Sequence, residues 1–419
     1  MKNPDKQRRP VIIGHDMVSC LGTDLEQQWA AAQAGRSGIG ELTRFPLRED
    51  FPVRIAGQVP ELDREPYPFL GQRAMAHWTS PIFAHAMLVT HRALERAGLE
   101  LTPEIAPRTA ITFSSAVGGQ DAVINADRIM VERGRLPHPF TNPNSCINMV
   151  GGKVSILTGA TGPITSTITA CATGCTSMMM AALMFDAGMA DLCICGAADA
   201  ALVEPIVAGF ATMNGAYKHK AAAEEPAERA SRPFSADRRG FVISEGAGCV
   251  LLATREFADA HGLPYQVELA GWASTSDAHH FVAPNPETVT RCMAQALDHA
   301  GVAPDEVDAV NAHAASTKVG DQVEVQSLRA VLGDELPPIT ANKSFLGHAM
   351  GAASAIETVL AMEGMVRGKL PPTINYTEDP KLTLDCVPGE ARNLEQRILL
   401  KNAFGFGGCN TCLVLRRVN

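Results

Sequence analysis

No stretch of the sequence is both long and apolar enough to cross a bilayer. The longest apolar run, 172–190, is broken by Asp186 and by glycines, threonines and serines, so no membrane span is expected. Positive charge is also scarce: 36 Lys and Arg stand against 45 Asp and Glu, a net charge of −9. General attraction to nucleic acid or an anionic membrane is thereby disfavoured, and any anionic partner must find a local basic patch. No GxxxxGK[ST] phosphate loop is present, and the Gly-rich pieces lack the strand and acidic residue of a dinucleotide site, which argues against nucleotide-dependent chemistry. Cys409 and Cys412 have CxxC spacing without a second pair, so no metal site is expected. The basic start (Lys2, Lys6, Arg8, Arg9) is followed by only three apolar residues, Val11-Ile12-Ile13, too few for a signal peptide. With eleven cysteines, an odd number spread along the chain, reduced thiols and a cytoplasmic location are the expectation. No short-period repeat or low-complexity tract suggests a solenoid or propeller.

What is present suits a large core. Hydrophobic residues make up 46% of the 419 and charged residues 19%, with mean hydropathy +0.01. Strand-then-helix order recurs along the chain. A strand at 11–13 precedes a helix at 24–34, strands are expected at 109–113, 164–169 and 192–195, and a helix at 174–186. The second part repeats the plan, with strands at 309–311 and 338–341, each followed by a helix, at 321–331 and 351–366. A hairpin then spans 397–416 around a Gly-rich turn. The polar segment 218–239 reads as a surface excursion. These features predict an α/β chain of two similar halves, residues 1–253 and 254–419.

Three places could carry chemistry. Thr169-Ala170-Cys171-Ala172-Thr173-Gly174 sets a cysteine where a strand turns into a helix, among small neighbours that leave room for a substrate. The helix's positive end and free N–H groups would favour thiolate and could hold an oxyanion, although a buried cysteine is also a common packing residue. Asn311-Ala312-His313 puts a histidine at a strand's carboxyl end, where open α/β sheets bind ligands, and Lys343-Ser344-Phe345-Leu346-Gly347-His348 places a second just before a helix. Each histidine alone could equally pack or cap. Phe404-Gly405-Phe406-Gly407-Gly408 permits close backbone approach or simply a tight turn.

Together with Ser231-Arg232-Pro233-Phe234 and the run from Gly240 to Gly248, these motifs span nearly the whole chain. In that order they resemble the β-ketoacyl-[acyl carrier protein] synthases of the thiolase superfamily, particularly the elongating type. The resemblance implies a thiolase-like five-layered αβαβα fold of two pseudo-repeated halves, with the site between them. It implies that Cys171 takes an acyl group and that His313 and His348 stabilise the enolate formed when a malonyl thioester loses carbon dioxide. Lys343 would support the second histidine, and Glu357 would have a structural role. The amides of Cys171 and Phe404 would hold the acyl oxyanion, with Phe404 also gating the acyl tunnel.

Val117, Thr141, Thr317, Phe404 and Gly405 would bind substrate. Val117 and Thr141 hint at a wider or more polar tunnel that would admit polyene or aryl chains. Ala315 stands where relatives carry a hydroxyl that contacts pantetheine, which suggests weaker or rearranged extender positioning. No cofactor of its own is implied, since phosphopantetheine arrives on the acyl carrier protein. Arg133, Arg135, Arg232, Arg238 and Arg239 are candidates for meeting that acidic carrier. A homodimer, or a heterodimer with a homologous chain-length factor, would form through 139–149 and the strand before Cys171. The competing readings are a non-condensing chain-length factor, which usually lacks the nucleophile, and a degradative thiolase, which would use a second cysteine as its base.

Overall fold

The computed structural model describes residues 8–218 and 225–418. Residues 1–7, which carry Lys2 and Lys6 of the basic start, and residues 219–224 of the polar segment 218–239 lie outside the described residues. Nine strands build one mixed sheet: β1 (Pro10–Val18), β2 (Thr109–Ser114), β3 (Leu192–Ala200), β4 (Glu245–Thr254), β5 (Val267–Ser276), β6 (Ala309–Asn311), β7 (Ile339–Thr340), β8 (Ile398–Gly405) and β9 (Cys409–Arg417). Their order is β2-β3-β4-β1-β5-β9-β8-β6-β7. The first four come from one half of the chain and the last five from the other. The two groups join only where β1 meets β5, at Val11 opposite Glu268 and Ile12 opposite Val267.

The strands are buried on both faces and therefore read as continuous apolar runs rather than alternating ones, as in β3 and β4, where every residue is buried. Helices α1 (Leu25–Gln33), α2 (Pro81–Ala97), α3 (Thr173–Asp186), α4 (Pro286–Ala300), α5 (Lys318–Leu332) and α6 (Met350–Arg367) cover them. Helix α2 packs its apolar side on β1 and β4. On the other half-sheet α4 packs against β5 and β9, with α5 lying on α4. Between the half-sheets run α3 and α6, whose Met178, Ala182, Ile356 and Val359 share one core with Val250 and Leu252 of β4 and with Leu269, Leu413 and Leu415. Outer helix, half-sheet, inner helices, half-sheet, outer helices: this is the five-layered α/β fold that the resemblance implied.

Helix α6 is buried from Met350 to Met365, which explains why its sequence is apolar all round instead of striped. The inner helices touch at Gly174, where a Cβ would run into the backbone of Ala355. That contact accounts for a glycine in the first turn of α3, despite its cost in helix propensity.

Two sequence expectations are corrected. Segment 164–169 is not a strand: Ile164 forms one isolated bridge with Ile111, and Thr165 N–H reaches the Ile111 carbonyl (2.9 Å), after which pairing ends. Its β-branched composition suits a strand, but among the described residues no strand lies on its outer side. The polar segment is not wholly a surface excursion either. Ser231, Phe234, Ser235 and Arg238 are buried. Phe234 N–H donates to Asp321 Oδ2 (2.8 Å), and Arg238 pairs with Asp379 (2.9 Å). Charged and polar side chains go inside here because each has a partner. No helix among the described residues is long and apolar enough to cross a membrane, and all eleven cysteines are free.

Candidate active site

Cys171 lies in a short turn, Ala170–Ala172, immediately before α3. Ala170 has φ 48°, a left-handed conformation that costs a non-glycine residue about 1–3 kcal/mol and is characteristic of functional turns. The kink aims Cys171, 7% exposed, into a cavity of about 650 Å³ between the halves. Gly405 of β8 presses on the same turn: a Cβ there would collide with the Thr169 carbonyl and stand 3.1 Å from the Cys171 nitrogen. The glycine is thus required by a close backbone approach, not by a turn dihedral.

Burial pushes the Cys171 thiol up to about 11, against the opposing pull of the Lys343 ammonium and the Phe406 N–H. The expectation that the helix end favours thiolate is outweighed by desolvation. The Phe406 amide lies beside the sulfur, and Phe404 also lines the cavity.

His313 follows β6, and its backbone is fixed by a buried carboxylate. Glu324 of α5 accepts the N–H groups of His313 (2.8 Å) and Ala314 (2.7 Å) and the side-chain amide of Asn402 (3.0 Å). His348 stands just before α6, its N–H donating to Val242 O (2.7 Å) and its carbonyl accepting from Ser244 (2.9 Å). The two imidazole rings face the same cavity with centroids 5.7 Å apart and planes at 80°. Phe404 packs on His313 (5.6 Å) and Phe241 on His348 (5.5 Å).

Below the histidines is a charged cluster sealed from water. Lys343 Nζ donates to the His313 carbonyl (2.6 Å) and to Glu357 Oε1 (2.5 Å), while Lys401 Nζ donates to Glu357 Oε2 (2.7 Å). Two ammonium groups on one carboxylate leave a net positive centre beneath the imidazoles. Burial, then the charges of Lys343 and Lys401, holds both histidines well below their usual range, His313 being lowered also by His348. Both are therefore neutral hydrogen-bond donors at neutral pH. On the other side, buried Asp199 accepts from Ser115 Oγ (2.5 Å) and from the amides of Val117 (2.9 Å) and Ala352 (3.2 Å). It ties β3 to the start of α6. Met350, at φ 49°, lines the cavity with Ala170, so left-handed residues lie both before Cys171 and after His348.

The structure thus brings Cys171, His313, His348, Phe404, Gly405, Val117 and Thr317 to one cavity, with Ala315 on its wall. Lys343 lies behind the wall. Thr141 is not brought there: it opens the helix Thr141–Ser145, its N–H donating to His138 O (2.9 Å), and it lines no part of the cavity within this chain. Of the five arginines, Arg238 is buried and cannot meet a carrier. Arg232 is taken up by Glu225 and Asp237, while Arg133, Arg135 and Arg239 are exposed. Sequence reasoning missed Glu324, Lys401 and Asp199. For Lys401 a signal existed, a lysine inside the apolar run 398–403. The part Glu324 plays depends on contacts that only the fold creates.

Models of the N-terminal and C-terminal domains of β-ketoacyl synthases match residues 7–258 and 266–377. Among curated relatives, the chain is 36% identical to 3-oxoacyl-[acyl-carrier-protein] synthase 2 of Coxiella burnetii, covering 99% of both chains. It is 34% identical to the protein of that name from Vibrio cholerae, covering 98% of this chain and 100% of the other. Among solved structures, a beta-ketoacyl synthase from Burkholderia phymatum superposes with TM-score 0.90 at 31% identity, over 98% of this chain and 100% of that one. The ishigamide ketosynthase/chain length factor superposes with TM-score 0.88 at 30% identity, over 99% and 100%.

Proposed function

The chain belongs to the β-ketoacyl synthase family, and from that premise we propose how its residues perform the elongating condensation. The observation that carries the reading is a single cavity faced by one cysteine and two neutral histidines. Cys171 attacks the acyl thioester of a carrier protein: the cysteine sulfur bonds to the acyl carbon, and the carrier's phosphopantetheine thiol leaves with the proton. A malonyl-carrier then enters. His313 and His348 donate N–H bonds to its thioester oxygen as carbon dioxide departs, holding the enolate. The enolate carbon attacks the acyl carbonyl, with the Phe406 amide beside the sulfur, and the Cys171 thiolate is expelled. The product is a β-ketoacyl carrier two carbons longer. Neutral imidazoles suit this sequence, since they stabilise developing negative charge without trapping a proton.

The carrier supplies the phosphopantetheine, so the chain needs no cofactor of its own, and the cytoplasm is the compartment in which these partners meet. Fatty-acid elongation is the first assignment and polyketide or polyene extension the second. Pairing with a second chain, identical or a homologous chain-length factor, is supported by the unfinished edge beyond β2. There Ile156, Ile164 and Ile168 are exposed and the buried hydroxyls of Thr165 and Ser166 have no partner. Light scattering reads that assembly directly, and a monomer would contradict it.

The condensation is tested by intact-protein mass spectrometry with acyl carriers of graded length, followed by malonyl-carrier. An acyl mass on Cys171 and a product two carbons longer are expected. A chain that neither acylates nor condenses by itself would point to a required partner subunit or a non-catalytic role.

A further inference from the structure

Three charged side chains line the cavity: Asp277, Arg239 and Lys318. Asp277 is buried and fully engaged, accepting from Asn410 Nδ2 (2.6 Å), Asn285 N (3.1 Å) and the Thr288 hydroxyl. The other two are both cations and both exposed. Near them the wall is apolar, with Val282 and Val319. Buried Arg238 fixes the two cations to one stretch of the rim. Its guanidinium donates to the carbonyls of Thr317 (3.1 Å) and Lys318 (3.0 Å), while Gly240 N–H bonds Ser316 O (2.9 Å). Residues 238–240 and 316–318 are therefore laced together.

Lys318 makes no ion pair among the described residues. Arg239 lies over the Tyr217 ring (5.4 Å) and bonds Glu225 (2.7 Å), a carboxylate that also engages Arg232. The Arg239 side chain is 57% exposed, so its bond to Glu225 is weak and exchangeable in water. Two exposed cations on one stretch of the cavity rim, in a protein of net charge −9, form a local anion site. A guanidinium and an ammonium on the same rim both suit a phosphate.

We propose that Arg239 and Lys318 clamp the phosphodiester of the phosphopantetheine arm at the cavity mouth while its thioester reaches Cys171, and that Glu225 occupies Arg239 until the arm arrives. This rests on the condensing reading of the cavity but adds the groups that position the arm, which the floor of the site does not supply. The clamp acts on binding and leaves the chemical step unchanged.

The test is calorimetric binding of 4′-phosphopantetheine and of pantetheine, which lacks only the phosphate, to the intact wild-type protein. It is repeated on the Arg239→Ala/Lys318→Ala double variant and on Glu225→Gln. Wild type should prefer the phosphorylated arm by about tenfold, the scale of one charge-assisted contact, and added salt should shrink the preference. The double variant should bind both equally, and Glu225→Gln should tighten the phosphorylated arm only. Because Arg239 and Lys318 are exposed, the melting curve of the double variant should stay wild-type. Equal wild-type affinity for the two arms would overturn the clamp. So would a double variant that keeps the wild-type preference, which would place the phosphate away from these two side chains. The binding difference needs no turnover, so it survives even if the condensing reading fails.

Discussion

The two sides of the cavity hold their reactive groups by different means. On the side of the first half, Cys171 is placed by backbone: a left-handed Ala170, a short turn, and a glycine from β8 pressed against it. On the side of the second half, His313 and His348 are placed and tuned by buried charge, through Glu324, Lys343, Glu357 and Lys401. A nucleophile has to present one atom at one angle, and covalent geometry does that without adding charge that would disturb an acyl group. Imidazoles that are to hold an oxyanion without giving up a proton have to stay neutral, and burial together with a nearby positive cluster favours that state.

The contrast can be broken by substitution. The largest effect is expected from Cys171→Ala, which should abolish both the acyl adduct and condensation while leaving decarboxylation of the extender measurable. Loss of that decarboxylation as well would mean that the two sides do not act separately. Next, His348→Ala should lower condensation roughly a hundred- to thousand-fold, as for one oxyanion donor, with acylation of Cys171 intact by mass spectrometry.

Lys343→Met comes third, removing one partner of a buried ion pair at a cost of about 3–5 kcal/mol in denaturant unfolding. Its pH signature has a definite sign. In wild type both imidazoles sit well below their ordinary range, so decarboxylation should hold as pH falls through 6.5 and decline only further down. Without the Lys343 charge the imidazole values rise, and the decline should begin at higher pH. An acid limb that does not move would refute charge tuning. The smallest effect is expected from Gly405→Ala, which crowds the Cys171 turn. Overpacking of this kind costs about 1–3 kcal/mol, and the variant should slow acylation without moving that acid limb.

Much of this arrangement was legible in the sequence because it is local. Strand, small-residue turn and helix around Cys171, His313 and His348 are short-range patterns, and β8 and β9 form the expected hairpin. The failures are equally physical. Segment 164–169 has strand-forming residues, but a strand exists only with a neighbour, and sequence does not reveal where neighbours run out. Arg238 read as a surface cation because arginine usually is one. Its burial depends on Asp379, 141 residues away. The thiol was expected to benefit from its helix, yet the depth of the turn decides its acidity. Glu324 has no local signature, since its ligands are two backbone amides and a distant asparagine.

Helix α6 begins two residues after His348, carries Glu357 at its middle, and is enclosed by both half-sheets. An element so enclosed cannot fray or shift independently, because any opening exposes the common core. The catalytic histidine and the charged cluster are therefore as durable as the fold itself. On heating, activity should vanish together with the cooperative unfolding transition and not ahead of it, and amides along this helix should exchange with solvent at the slowest rate in the molecule.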